Sequence, residues 1–404
     1  MLRRALAASL FVAIAACGTA PDGVTTKGAA PIIKGKDSPA TQDAVILLVS
    51  TDGGFGSCSG TLIAPNLVLT ARHCVSKTAD VAFACDIKGN LVNFSGAQIG
   101  ADHPANRLLV FTGPDRPTFG GNVMVAAKGT KVFHDDSTTL CSHDLALVLL
   151  DKDIPNAQIA PIRLDGPPVE GETFTAVGWG VTDTTSSPSK RQQREAIKIQ
   201  KVGPANWPGE PVPPNDFLVG ESICSGDSGG PALATDTNAV IGVVSRGGNG
   251  KNDPNDPSVG CIGAENFYSS TAPQKDLILQ AFAEAGHEPW IEGGPDPRLA
   301  KTGEPCTQDA ECRSNACITV DNVSFCTADC SADPSVCPTG YDCKAQNGGQ
   351  QCVPHKDAPP PATTTYKVGC AAAGTGGMGD GAILALGVLG AAIAGLRRRR
   401  VTRR

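Results

Sequence analysis

The sequence predicts an all-β fold, a barrel or sandwich of short strands closed by one late helix. Three observations predict it. Glycine (47) and proline (31) together make up almost a fifth of the 404 residues, a mix that favours short strands and turns over long helices. Between Ile32 and about Trp290, short apolar segments recur at regular spacing, broken by Gly, Pro, Asn and Asp. Helical periodicity is weak until Gln274–Ala285, where Leu277, Ile278, Phe282 and Ala285 share one face. Apolar residues at 41% and charged residues at 18% allow a buried core and exclude wholesale disorder.

In chain order, Arg3 and Arg4 precede the largely apolar run Ala5–Ala16, so residues 1–16 read as an export signal. The run ends in Ile14-Ala15-Ala16-Cys17, and residues 17–31 read as a propeptide-like segment. Within a folded domain spanning 32–290, Val45–Val49, Gly60–Thr70, Leu145–Leu150, Phe174–Gly178 and Ala239–Ser245 read as strands. Residues 291–305 are a linker by composition. Residues 306–352 hold eight cysteines with spacing C-x5-C-x4-C-x8-C-x3-C-x6-C-x5-C-x8-C. A segment of that size cannot build a large core and must be stapled by its bridges, whose connectivity the spacing leaves open. Residues 353–369, with Pro359–Pro361 and Thr363–Thr365, read as an extended spacer.

The tail, 370–404, opens on Cys370 and carries the uncharged apolar run Gly381–Leu396, followed by Arg397–Arg400. Such a run spans about 24 Å as a helix, short of the roughly 30 Å of bilayer hydrocarbon, which fits a signal that holds the chain until it is processed. Residues 17–396 carry 26 basic against 40 acidic side chains. That balance disfavours nucleic acid and anionic membrane surfaces as partners. Sixteen cysteines in an exported chain argue for disulfides rather than metal or redox chemistry. With Cys17 and Cys370 set aside, six lie before Trp290 and eight in 306–352, both even numbers.

Three short segments converge on one reaction. They are Leu69-Thr70-Ala71-Arg72-His73-Cys74, Ser142-His143-Asp144-Leu145-Ala146-Leu147 and Cys224-Ser225-Gly226-Asp227-Ser228-Gly229-Gly230-Pro231. A serine hydroxyl needs a base to take its proton as it attacks. An imidazole serves best when a buried carboxylate fixes its tautomer and stabilises the imidazolium. His73, Asp144 and Ser228 supply these parts in that order.

These motifs resemble the histidine, aspartate and serine motifs of the trypsin/chymotrypsin family of serine endopeptidases, over residues 32–290. Cys58-Ser59-Gly60-Thr61-Leu62-Ile63, Gly178-Trp179-Gly180, Ser245 ahead of Gly247-Gly248, and the late helix also match. The resemblance implies a double six-stranded β-barrel and hydrolysis of protein or peptide substrates through an acyl-enzyme, with no cofactor and no metal. It makes Ser228 the nucleophile, His73 the proton carrier and Asp144 its orienting acid, with the amides of Gly226 and Ser228 as the oxyanion hole. It also implies bridges Cys58–Cys74 and Cys224–Cys261, which leaves Cys85 and Cys141 as a third pair. Ser245 is expected to help hold Asp144.

Two features depart from the family pattern. A newly cut N-terminal Ile32 would pair its ammonium with Asp227, yet Pro31 precedes it, so a trypsin-like activating cut is not expected. The pocket positions are Ser222, Ser245, Arg246, Gly247 and Asn266. Ser222 stands where trypsin-like members carry aspartate, Asn266 where glycine is usual, and Arg246 where an aromatic flanks the substrate. Small or medium uncharged side chains are therefore expected before the cut, and not Arg or Lys.

Residues 14–17 resemble the lipobox of bacterial lipoproteins, which would acylate Cys17, and the tail around Cys370 resembles sorting signals of the MYXO-CTERM type. Both imply attachment at the cell surface or outer membrane of a Gram-negative-type bacterium. The rival reading keeps the same fold as a scaffold for a non-catalytic surface binding protein.

Overall fold

The computed structural model describes residues 31–355 apart from 80–82, 93–95, 120–122, 183–184, 186, 254 and 347. The export signal, Cys17, the sorting tail with Cys370, and nearly all of the spacer lie outside the described residues.

Two antiparallel barrels form the body. The first uses β1 (Val45–Ser50), β2 (Gly56–Ala64), β3 (Leu67–Thr70), β4 (Leu108–Phe111), β5 (Ala127–Phe133) and β6 (Ala146–Leu150). It closes in the order β5-β6-β3-β2-β1-β4. The second uses β7 (Thr173–Gly178), β8 (Gln192–Val202), β9 (Asp216–Val219), β10 (Pro231–Ala234), β11 (Val240–Gly248) and β12 (Glu265–Ser270). Its order is β8-β7-β10-β11-β12-β9, closed by β8 against β9, and Lys36–Asp37 adds to the β8 edge. The expected double barrel is present, and closure leaves few open strand edges.

The stretch Gly60–Thr70, read as one strand, is two. Pro65 removes a ladder donor, and the chain folds back there, pairing Leu62 with Val68 and Ala64 with Leu67. Ile46, Leu48, Leu62, Val68, Leu108, Val110 and Val148 fill the first barrel. Phe174, Phe217 and Tyr268 pack edge-on or stacked inside the second, with ring centroids 5.2–6.0 Å apart. Between the barrels, Val45, Leu69, Leu147, Val177, Leu233 and Val243 form a shared core. Helix α1 (Lys275–Ala285) buries Ile278, Ala281, Phe282 and Ala285 against it and ends at Gly286 in the left-handed region.

Cys58–Cys74, Cys85–Cys141 and Cys224–Cys261 are bridged as expected. The small module resolves into two interleaved pairs, Cys306–Cys317 with Cys312–Cys326, and Cys330–Cys343 with Cys337–Cys352. Its two hairpins, β13 (Cys317–Val320) with β14 (Val323–Cys326) and β15 (Tyr341–Gln346) with β16 (Gly349–Pro354), enclose little more than Ile318, Phe325 and Val353. The bridges therefore carry the stability that so small a core cannot. The stretch 291–305 is tied down: Ile162 forms a bridge with Ile291, Arg298 donates to the Ala157 carbonyl at 2.6 Å, and Glu288 pairs with Lys301 and Arg313. Among the described residues no helix is long and apolar enough to cross a membrane.

Candidate active site

β3 and β6 are neighbours in the first barrel, with Thr70 opposite Ala146. His73 follows the end of β3 by three residues and Asp144 precedes β6 by two, so this pairing alone brings both to one rim. The Asp144 carboxylate is fully buried (0% exposed) and accepts from the His73 amide at 3.0 Å and from His73 Nδ1 at 2.8 Å. An ionised carboxylate can only accept, so Nδ1 carries hydrogen and the neutral ring keeps its lone pair on Nε2. Burial alone would push the Asp144 carboxyl up. The His73 charge and hydrogen bonds, with the Ser245 hydroxyl, outweigh it and hold the group below the usual carboxylate range. Burial likewise pushes the His73 imidazole down, and the neighbouring Asp144 charge and hydrogen bond leave it raised.

The second barrel contributes the other side. Val244 faces Tyr268 and Arg246 faces Phe267, so Ser245 is the extra residue of a β-bulge in β11. A bulge re-aims its side chain, and Ser245 Oγ donates to Asp144 Oδ2 at 2.6 Å. Ser228 precedes β10 by three residues. Its carbonyl accepts from the Ser59 amide at 2.8 Å, while Gly229 N donates to Val244 O at 2.9 Å. Gly229 (φ +75°) is required: a Cβ there would collide with Thr70 and with the Ala71 amide, on the chain leading into His73. Ser228 and Ser245 line one cleft of about 510 Å³. Asp144, His73 and Ser245 are thus in direct contact, and the Ser228 loop is lashed against the chain that bears His73. Among the described residues the Ser228 hydroxyl makes no hydrogen bond, to His73 or elsewhere, and the Gly226 and Ser228 amides have no protein acceptor.

Asp227 is buried (1% exposed) and accepts from the Gly180 amide at 2.7 Å and the Cys224 amide at 2.9 Å. Gly180 permits this approach, since a Cβ would lie 2.5 Å from the carboxyl carbon. Burial pushes Asp227 up to about 7, against the pull of the two amides and the more distant Arg116 charge. Ile32 and Ile33 are fully buried, Ile32 at φ 42°, a costly conformation for a β-branched residue. Lys34 and Arg194 hold the same segment by pairing with Glu221.

Of the pocket residues, Arg246, Gly247, Asn266 and Ser245 line the cleft. Ser222 is fully buried and does not. Asn266 is 1% exposed, its Nδ2 donates to Gly220 O at 3.0 Å, and its Oδ1 lies against Gly247. Arg246 turns inward. It stacks 4.2 Å over Phe267 and donates to Asp216 at 2.8 Å and Glu210 at 2.9 Å. Burial raises the fully buried Asp216 to about 6 even so, Arg246 holding it lower than burial alone would. Asp216 and Glu210 escaped the sequence reading. The one signal was Arg246 itself, a cation where the family resemblance places an aromatic. The cysteine sulfurs that cluster near His73 and within the small module are all consumed in disulfides and offer no thiolate to a metal.

A family model described as Trypsin matches residues 32–102 and 115–264, more than half of the sequence. The chain belongs to the trypsin family. It is 28% identical over 230 residues to the snake venom serine protease Haly-2 of Gloydius brevicauda, covering 54% of this chain and 77% of that protein. It is 25% identical over 227 residues to a trypsin of Saccharopolyspora erythraea (54% and 86%), and 28% over 215 residues to a chymotrypsin of Phaedon cochleariae (50% and 67%). This trypsin-family protein is therefore a serine protease by fold and kinship; of its departures, Arg246 and Asn266 line the cleft, while Ser222 is buried outside it.

Proposed function

We propose that the protein is an exported, surface-attached serine endopeptidase. Ser228 attacks the scissile carbonyl, His73 Nε2 takes and returns the proton, and Asp144 holds the ring and stabilises its cation. The open amides of Gly226 and Ser228 receive the developing oxyanion. The observation that carries this reading is the His73–Asp144–Ser245 contact at 2.8 and 2.6 Å, which leaves Nε2 as the free base. No cofactor enters, because side chains and backbone donors supply every step.

Cleavage prefers small or medium uncharged side chains, because the Asn266 carboxamide occupies the pocket beside Gly247 and, among the described residues, no acid lines it to receive Arg or Lys. The chain matures by a cut at Pro31–Ile32, made by an enzyme that tolerates proline before the bond. The new ammonium of Ile32 then pairs with Asp227, whose buried carboxyl in the uncut chain has only amides and the distant Arg116 to oppose its burial. A lipid on Cys17 holds the chain only until that cut separates it, after which the processed tail at Cys370 retains the catalytic domain, and the extracellular setting fits the seven disulfides among the described residues.

Fluorophosphonate labelling of the full chain, with N-terminal sequencing of the labelled species, tests this. The expected result is label on Ser228 once Ile32 is the N-terminus, and none on Ser228→Ala. A chain that begins at Ile32 and still resists the reagent would leave only the scaffold reading.

A further inference from the structure

The residues immediately before His73 and Asp144 are Arg72 and His143, and both reach the same neighbour, Asp135. Arg72 is 5% exposed, and Nη1 donates to the Asp135 carbonyl at 2.9 Å. Its Nε donates to Ser76 Oγ at 2.6 Å and its Nη2 to Asp102 Oδ1 at 3.3 Å, while Ser76 Oγ donates to the same Asp102 oxygen at 2.6 Å. On the other side, His143 Nδ1 donates to Asp135 Oδ2 at 2.5 Å. The remaining Asp135 oxygen caps the Ser137 amide at 3.1 Å, and His134 bridges the Asp135 carbonyl and Asp102.

We propose that Arg72, Asp135 and His143 form a clamp that sets the distance between the two loops bearing His73 and Asp144, and that Arg72 and His143 are positioning residues for the triad. The clamp rests on the catalytic reading above. Neither residue lines the cleft that holds Ser228. Each is one peptide unit from a triad member, and a planar guanidinium held by three acceptors has no freedom to rotate. A slack loop on either side would let the His73–Asp144 contact drift, and misplacement on the order of 1 Å costs about a hundredfold in rate. The charges facing His143 are Asp135 from its own loop and Asp216 from β9. Those facing Arg72 are Asp102, Asp135, Asp136 and Asp144.

The test measures kcat and KM per titrated active site of the mature enzyme for Arg72→Met, His143→Ala, His143→Asn and the Arg72→Met/His143→Ala pair. The expected result is a 10- to 100-fold loss of kcat for Arg72→Met and for His143→Ala, with KM within twofold. Asparagine, which keeps a donor toward Asp135, restores most of the rate at position 143. The double variant loses much less than the product of the singles, because both act through one residue. The acid limb of the pH–kcat profile moves in the slow variants as the Asp144 contact on His73 loosens. His287→Ala, which breaks a solvent-exposed pair with Asp153, leaves all of these unchanged. His143 is partly exposed, so its variants fold even where Arg72→Met does not. Full kcat in folded His143→Ala, with only the melting temperature lowered, overturns the clamp while sparing the catalytic reading. An inert parent enzyme overturns both.

Discussion

The joined chain stores a buried carboxyl whose ionisation works against the fold, and this can be measured. Asp227 is 1% exposed and its acidity is shifted from 3.8 to about 7 by burial, against the pull of two amide donors and the Arg116 charge. Between pH 3.8 and about 7 the folded chain holds a proton that the unfolded chain has released, so stability falls as pH rises through that window. At 1.36 kcal/mol per tenfold in proton affinity, the full loss is about 4 kcal/mol. The perturbation is Asp227→Asn, made in a Ser228→Ala background so that the chain cannot cut itself. Urea unfolding with disulfides intact, run from pH 4 to 8 on both proteins, gives the difference at each pH. Other titrating groups, Asp216 included, are common to both and cancel. The expected outcome is that the advantage of aspartate over asparagine shrinks by up to about 4 kcal/mol between pH 4 and pH 7.5. The same comparison on a chain cut before Ile32 should lose this trend, because an ammonium partner lowers the carboxyl instead. Parallel stability curves for the two uncut proteins would refute the argument.

Two further outcomes follow from the cleft. Asn266→Gly removes the carboxamide lying against Gly247 and should raise kcat/KM for Leu or Phe before the cut, relative to Ala, by about tenfold or more, read with a matched set of peptide substrates. Arg246→Met keeps an apolar chain over Phe267 but strips Asp216 of its cation. It should cost about 3–5 kcal/mol at pH 8 by denaturant unfolding and less at pH 4 to 5, where Asp216, raised to about 6, has taken up its proton; adding Asp216→Asn should recover most of the loss.

The His73–Asp144 contact and the bridges Cys58–Cys74 and Cys224–Cys261 were legible because short motifs carry the family resemblance, and Cys85–Cys141 followed as the pair left over. The strands were less so. Gln192–Val202 forms β8, yet most of its polar residues face outward from a barrel wall and its run of Gln, Arg, Glu and Lys masks the apolar side formed by Ile197 and Ile199. Leu108–Phe111 and Asp216–Val219 are short runs buried at nearly every position, which periodicity cannot assign. The reading of Gly60–Thr70 as one strand failed because Pro65-Asn66 turns a hairpin without any glycine. Asp135, Asp102, Glu210 and Asp216 were invisible as site residues. They lie 30 to 63 positions from their partners Arg72 and Arg246, and only the folded barrels bring them together.

Three side chains beside the site share a physical theme. Arg72, His143 and Arg246 each sit one residue from His73, Asp144 or Ser245, and each is a long or titratable side chain bound to a carboxylate, from another loop or strand for the two arginines and from its own loop for His143. A small or apolar residue at such a position fixes the backbone by packing alone. A charged one fixes it by directional bonds, at the cost of desolvating both partners, and so requires its acid to be present and well aligned. That requirement explains why Asp135, Asp102 and Asp216 are found where they are. It also means that Asp102 and Asp216 cannot be changed singly without taking an ion-pair partner from Arg72 or Arg246. On the proposed catalytic reading, the chain around His73 and Asp144 is steadied by ion pairs where packing could have served, and its tolerance to substitution should be low at Arg72 and Asp102, neither of which lines the cleft.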